Sequence, residues 1–218
     1  MKKFITYSGL LSVFILFLCA ATASAQKEGT TVLTLKDGTK VEGYIRSQFY
    51  STISHVEMSE EPTGKTKKYD LDDIKKITMY SIDGDSVLYV RRYRYRLFKS
   101  HKKPHKGYYK QPVLFRLDYA SPKGVELLTE IRRSVATSGM RTAAYKELWS
   151  YVKLQGEDAA RPLCAIISGS DKPEEANFRI MARRAFADYP SLVIRINGGE
   201  FSAKNPLRLV KAYEELIY

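Results

Sequence analysis

Apolar and polar positions alternate with period two over most of the chain from Thr31 to Ile167, and the period becomes helical only near the end. "TTVLTLKDGTKVEGYI" reads as a hairpin. Val32, Leu33 and Leu35 belong to its first strand, Asp37 and Gly38 to the tight turn, and residues 41–46 to the return strand. Gly43 inside the return strand predicts a bend or bulge. "SHVEMS" sets Val56 and Met58 against His55, Glu57 and Ser59, which gives a third strand. "KKYDLDDIKKITMYS" adds a short strand, a polar turn at Asp72 and Asp73, and a strand through Ile77 and Met79. Short twisted strands with a kink and a tight turn before the last one predict a small SH3- or Sm-like β-barrel, or a twisted antiparallel sheet, over residues 26–85. The analogy is one of shape, because the RNA-binding residues of Sm proteins are not recognisable here.

A second turn at Asp83 and Gly84 leads into "SVLYVRRYRYRLF". Val87, Tyr89, Tyr93, Tyr95 and Leu97 fall on one side at strand parity. Leu88, Val90, Arg92, Arg94, Arg96 and Phe98 fall on the other. At helical spacing the arginines would scatter around the axis, so the stretch is read as a strand. Its phenol rings are expected to turn inward and its guanidinium groups to look outward. "SHKKPHKGYYKQP" breaks the pattern with Pro104, Gly107 and Pro112 and reads as a long loop. "VLFRLDYASPKGVELLTEIRRS" then gives strand, turn and strand. "TAAYKELWSYVKLQGEDAARPLCAII" gives two more strands around Gly156, with a helix over 145–149 as the alternative. Residues 86–167 are thus expected to form an antiparallel β-meander with a basic loop at 99–110.

Beyond Ser168 the reading is helical, over 168–218. Asp171, Pro173 and Glu174 suit a capped helix start, and Phe178, Met181, Ala182, Ala185 and Phe186 make its apolar face. A short helix through Leu192, Val193 and Ile196 ends at Gly198 and Gly199. The last starts at Asn205 and Pro206, with Leu209, Val210, Tyr213 and Leu216 expected to pack inward. Strands first and helices last predict the α+β class, with the C-terminal helices against one face of the sheet.

The first residues change the picture of where such a fold would reside. Lys2 and Lys3 precede an apolar run at 10–21, and Ala23 and Ala25 stand at the spacing of a signal-peptidase site. Residues 1–25 therefore read as a secretory signal peptide. The run is short of the roughly 20 apolar residues a membrane span needs. Leu16, Phe17 and Leu18 before Cys19 do not suit a lipidation site. Cleavage after Ala25 would leave 193 residues, no second apolar stretch long enough to span, and one cysteine. That cysteine, Cys164 in "PLCAII", cannot form an internal disulfide and reads as a core residue. A periplasmic, outer-envelope or secreted location is expected.

The charge is concentrated. Of a formal +12, nine cations and no acid lie within residues 91–110, and the rest of the chain after Ala25 nets +1. A local patch points to an anionic neighbour more strongly than a diffuse excess does. The candidate polyanion contacts are Arg92, Arg94, Arg96, Lys99, Lys102, Lys103, Lys106 and Lys110. Tyrosines interleaved with arginines can grip single-stranded nucleic acid. The export signal disfavours that partner and favours lipid headgroups, lipopolysaccharide phosphates, acidic glycans or an envelope protein. The structural alternative has Tyr89, Tyr93 and Tyr95 packing while the arginines stay in water or pair with acids of a neighbouring strand.

Three parts of the chain resemble a group of secreted, largely uncharacterised proteins of Bacteroidota. They are "VLTLKDGTKVEGYI" with "KKYDLDDIKKI", then "VLFRLDYASPKGVELL" with "YVKLQGEDAARPL", and finally "FADYPSLVIRINGGEFSAKNPLRLVKAYEEL". The resemblance implies export and a similar order of elements. It implies no activity and carries over no site residues. Tyr189 stands where a Cys is common in the group, and the loop at 99–110 is unusually basic.

His101 and His105 are separated by Pro104 and lack the glutamate of a zinc-protease helix; His55 is remote in sequence. Asp83 and Asp85 lack the further oxygen ligands of a calcium loop. Ser168 and Ser170 are not in a nucleophile elbow, and no glycine-rich phosphate loop occurs. The adjacent acids at Glu60/Glu61, Asp72/Asp73, Glu174/Glu175 and Glu214/Glu215 do not form acid–base couples by themselves. The expectation is a non-catalytic exported envelope protein without cofactor or metal, serving as an interaction or structural module. The alternatives are a binder of anionic envelope surfaces through residues 91–110, and a hydrolase whose residues are gathered from distant parts of the sequence.

Overall fold

The computed structural model describes residues 29–46, 49–51, 53–81, 83–96, 107–138, 141–167 and 175–218, with the side chains of 136–143 and 167 left aside. The expected signal segment, the lysines and histidines at 99–106, Ser168 and Ser170, and the helix start at Asp171, Pro173 and Glu174 lie outside the described residues.

Ten strands form one sheet: β1 (Thr31–Leu35), β2 (Lys40–Ile45), β3 (His55–Ser59), β4 (Lys67–Asp70), β5 (Ile74–Tyr80), β6 (Ser86–Arg94), β7 (Val113–Ala120), β8 (Glu126–Ser138), β9 (Arg141–Lys153) and β10 (Ala159–Ile167). Their order is β10-β9-β8-β7-β6-β5-β1-β2-β3-β4. Neighbours in that order are antiparallel. A short parallel pairing, Ala159 to Tyr93 and Ala160 to Arg94, brings β10 back onto β6, so the hydrogen bonding of β6 to β10 returns on itself. Three helices follow, α1 (Glu175–Ala185), α2 (Pro190–Asn197) and α3 (Pro206–Leu216). The class is α+β, as the pattern predicts. Among the described residues no helix is long and apolar enough to cross a membrane.

The turns form where the sequence places them. Gly38 adopts φ +90° and donates to the Leu35 carbonyl, while Gly84 adopts φ +84° and donates to that of Ser81. Both are left-handed conformations that glycine adopts without a Cβ clash. A single 3-10 turn, Leu71–Asp73, separates β4 from β5, and the Asp70 side chain accepts from the Asp72 N–H at its start. Gly43 has a different reason from the bend expected of it. A Cβ there would lie 2.4 Å from the Ser59 carbonyl oxygen, so the glycine permits close approach of β2 to β3.

Apolar side chains gather in three clusters. Leu33, Val56, Met58, Ile74 and Ile77 fill the first, within β1 to β5. Val90, Phe115, Leu128 and Tyr151 fill the second, on one side of β6 to β9. In the third, Phe178, Phe186, Leu192, Leu209 and Tyr213 of the helical region meet Leu127, Val152, Leu154 and Leu163 on the opposite side of β8 to β10. Fully burying one such side chain contributes about 1.5–3 kcal/mol. The helices are pinned by polar contacts as well. Arg161 on β10 donates to the Ala185 carbonyl at the end of α1 (2.5 Å), where a helix has carbonyls to satisfy. Tyr119 on β7 donates to Glu214 on α3 at 2.8 Å.

Residues 145–149 are strand within β9, as the alternation predicts, and not the alternative helix: Trp149 and Tyr151 turn to one side of the sheet while Val152 turns to the other. One expectation needs correction. Leu216 is 44% exposed and does not pack inward, whereas Leu209, Val210 and Tyr213 do, joined by Ala212.

Replacing Gly43 by alanine is expected to destabilise the fold by about 1–3 kcal/mol through overpacking against backbone. Gly38→Ala meets no atom within 4 Å and carries only the left-handed strain of roughly 1–2 kcal/mol. Urea denaturation of both variants checks this, with Gly43→Ala the lower midpoint of the two.

Candidate functional site

The arginine-rich strand β6 is extended, as its period predicts, but its two sides are reversed from expectation. Directly opposite residues of an antiparallel pair share a face. Val90 faces Phe115 and Arg92 faces Val113, so Arg92 and Arg94 project on the side of the second cluster. Phe115 is fully buried there. The alternation, which on parity alone predicts wet arginines and inward tyrosines, instead places the arginines over an interior side. The tyrosines line the other side, which is itself covered: Tyr89 packs on Phe49 at 4.8 Å between ring centroids, and Tyr93 packs on Tyr108 at 5.2 Å.

The arginines reach acids on β8, two strands away. Arg92 forms a bidentate pair with Glu126, with Nε and Nη2 at 2.8 and 2.7 Å from the two carboxylate oxygens. Arg94 donates to Glu130 Oε1 at 2.5 Å, and Arg132 donates to Glu130 Oε2 at 2.7 Å. The Glu130 side chain is fully buried between them. Arg132 also donates to the Tyr151 hydroxyl (2.5 Å) and lies over the Trp149 ring at 4.4 Å from its centroid. Trp149 donates its indole N–H to Glu147 at 2.8 Å. Glu126, Leu128, Glu130 and Arg132 fall on one side of β8 at alternate positions, and Tyr151 and Trp149 stand opposite Leu128 and Glu130 on β9.

The electrostatics follow from this enclosure. Burial by itself would raise the Glu130 carboxyl. The hydrogen bond and charge of Arg132 and the charge of Arg94 outweigh it, and the carboxyl is held below the usual glutamate range. Burial, with Glu130 beside it, pushes the Tyr151 phenol up, so the ring keeps its proton. With Glu147, whose charge also acts on Arg132, three carboxylates balance three guanidinium groups, and among the described residues the buried Nε atoms of Arg94 and Arg132 have no acceptor. A half-enclosed network of this kind is weak evidence of net stabilisation, yet removing one member strands its partners.

The other candidate contacts separate from these two. Arg96 and Lys110 are exposed, and Arg96 lies over Tyr109 at 5.6 Å. Arg94 lies over the same ring at 4.7 Å. Lys99, Lys102, Lys103 and Lys106 lie outside the described residues. Glu126, Glu130, Arg132 and Tyr151 were not recognised from sequence. A signal existed in "VELLTEIRR": two glutamates four apart on one strand share a face, and that face also carries Leu128.

Groups considered for catalysis have ordinary structural surroundings. Cys164 is buried, which pushes its thiol up and away from thiolate character. His55 Nδ1 is 3.1 Å from the Ser54 hydroxyl, and Nε2 lies 3.4 Å from Glu57 on the same strand. Asp83 and Asp85 flank the hairpin turn closed by the Ser81 N–H on the Asp85 carbonyl at 2.7 Å. Among the described residues no cluster of three or more His, Cys, Asp or Glu could hold a metal ion. An open cleft of about 430 Å³ lies beside α3, lined by Arg195, Glu200, Arg208 and Lys211. In it Arg195 and Glu200 already form a bidentate pair at 2.8 and 2.5 Å.

Glu130→Gln is expected to destabilise the protein by about 3–5 kcal/mol at neutral pH, because Arg94 and Arg132 then lack their counter-charge. The native carboxyl sits below its unfolded value. Its contribution is therefore full above the ordinary glutamate pKa and is lost as pH falls from there through the depressed native value. Unfolding midpoints measured from pH 7 down to pH 2 should fall more steeply in the wild type than in Glu130→Gln over that acidic window. No family model, curated protein or solved structure matches this chain.

Proposed function

We propose that the chain is an exported, non-catalytic protein of the cell envelope that serves as an interaction or structural module. Its first five strands are read as a small SH3- or Sm-like barrel. The order β5-β1-β2-β3-β4 with a 3-10 turn before β5 supports that reading. Export rests on the charged, apolar and small-residue succession of residues 1–25. The observation that carries the module reading is the closed network around Glu130. The strongest polar chemistry of β6, β8 and β9 is engaged in neutralising itself, and it holds the strands in register.

A second reading is favoured by the groups this network leaves outside. Arg96, Tyr108, Tyr109 and Lys110 are exposed at the end of β6 and before β7, next in sequence to the lysines at 99–106. They support contact with an anionic envelope surface. Arg92 and Arg94 leave the contact set, because each is engaged by a carboxylate.

Expression of the full chain in a Gram-negative host tests export directly. The expected product is released by osmotic shock and begins at Gln26. A product that keeps Met1 and stays with the cytoplasm or inner membrane contradicts it. For the second reading, retention on anionic vesicles should fall steeply as salt is raised; retention indifferent to salt contradicts the electrostatic contact.

A further inference from the structure

At the end of the sheet order away from β10, β4 pairs with β3 and no strand lies beyond it. Two hydrogen bonds fix which of its backbone groups point outward. The Leu71 N–H donates to the Ser54 carbonyl at 2.9 Å, so 71 and 54 form a hydrogen-bonded pair. Such pairs recur at every second residue of an antiparallel ladder. The next ones are Tyr69 with Val56 and Lys67 with Met58. On the other side of β3 the Arg46 N–H donates to the Glu57 carbonyl, so Glu57 turns to β2 and leaves Val56 and Met58 to β4. Both bonds give the same parity. The N–H and C=O groups of Lys68 and Asp70 therefore point away from β3, and among the described residues no backbone group meets them.

An open edge of this kind is a template for another strand, and the side chains of β4 decide which strand fits. Outward groups pair only with outward groups. A second β4 laid antiparallel across a two-fold axis thus has three registers, centred on Lys68, on Tyr69 or on Asp70. The first sets lysine against lysine and the last aspartate against aspartate, and like charges directly opposite are unfavourable. The register centred on Tyr69 sets Lys68 opposite Asp70 of the second copy, in both directions, and engages the outward groups of both residues. Lys68 and Asp70 are exposed. Lys68 Nζ already lies 3.3 Å from Glu57 on β3, and His55 stands opposite Asp70. Across the joined sheets the row reads Glu57, Lys68, then Asp70 and His55 of the second copy. Lys68 keeps its first acid and gains another. Asp70 Oδ1 accepts from the Asp72 N–H, and its second oxygen can take the lysine. On the other side, Tyr69 is half-buried against the first cluster with Lys67 Nζ over its ring at 5.2 Å. In this register the two Tyr69 side chains meet on the axis at a non-hydrogen-bonded position, where side chains come closest.

We infer that β4 is a self-association edge. A second copy of this chain pairs with it antiparallel, with Lys68 opposite Asp70 in both directions and Tyr69 on the two-fold axis. The inference names a partner for the interaction module proposed above, and it rests on β4 alone, not on export or on the basic stretch. An edge this short buries little surface, so the dimer is weak, with a Kd of roughly 10 μM to 1 mM.

Sedimentation equilibrium of the purified protein at concentrations up to about 1 mM tests this. Wild type is compared with Lys68→Glu, Asp70→Lys and an equimolar mixture of those two variants. Each variant alone sets like charges opposite each other twice and should dimerise about 10- to 100-fold more weakly than wild type. The mixture should regain association, because the two changes are complementary in this register and in neither variant alone. Thermal midpoints serve as the folding control. Asp70→Lys also removes the side chain that accepts from Asp72, so Lys68→Pro supplies an independent variant. It deletes an outward N–H, costs β4 no bond to β3, and should abolish the dimer with a thermal midpoint close to wild type. A wild type that is monomeric throughout overturns the self-pairing; the module then has a different partner, and export stands or falls by its own experiment. A dimer indifferent to Lys68→Glu and Lys68→Pro uses another surface and overturns it equally. Weakened variants whose mixture does not recover contradict the pairing of Lys68 with Asp70.

Discussion

The buried carboxylate of Glu130 is the constraint on which the middle of this fold depends. A charge with no solvent exposure requires counter-charge and hydrogen bonds, and here it receives both from Arg94 on β6 and Arg132 on its own strand. Those contacts cross over β7, so they fix β8 against a strand with which it shares no ladder. Glu126 repeats the arrangement one level away with Arg92. Between these levels Val90, Phe115, Leu128 and Tyr151 pack on the same side. The interior of β6 to β9 is thus part apolar and part ionic, and the ionic part specifies which strands oppose each other.

The same arrangement divides the cations of the chain by what they can do. Arg92 and Arg94 are held by carboxylates, and Arg91, its side chain largely buried, pairs with the exposed Asp72. Arg96 and Lys110, one step beyond the network, stay exposed. A stretch that is uniformly basic in sequence is therefore partly scaffold and partly surface. The boundary falls after Arg94, where β6 ends and its pairing with β10 gives way to the connection toward β7.

Much of the architecture was legible because it rests on local chemistry. Gly38 and Gly84 mark turns that need a positive φ, and Val56 and Met58 alternate as a half-buried strand must. Phe178, Ala182 and Phe186 repeat at helical spacing. The site was less legible, for a reason of geometry. Strand parity divides residues into two sets but does not say which set faces inward when both sides of the sheet are covered. Tyr89 and Tyr93 are as well suited to burial as any residue on β6, and they do pack. The arginines face the other interior, because acids on β8 are there to receive them. That decision is made by Glu126 and Glu130, more than thirty residues later in the chain. Leu216 differs for a related reason: a helical period places it near the apolar face, but the buried positions are Leu209, Val210, Ala212 and Tyr213, with Ile217 packed on the same cluster, and Leu216 falls at their exposed edge.

The most direct test of this account is a double-mutant cycle between Arg94 and Glu130, using Arg94→Met, Glu130→Gln and the double variant, with unfolding free energies from urea denaturation at neutral pH. Residues in one buried ionic network are predicted to couple, and the cycle should return an interaction energy of about 1–3 kcal/mol. An interaction energy near zero, with Arg94→Met as mild as a surface substitution, would place the guanidinium in solvent and contradict the inward-facing strand.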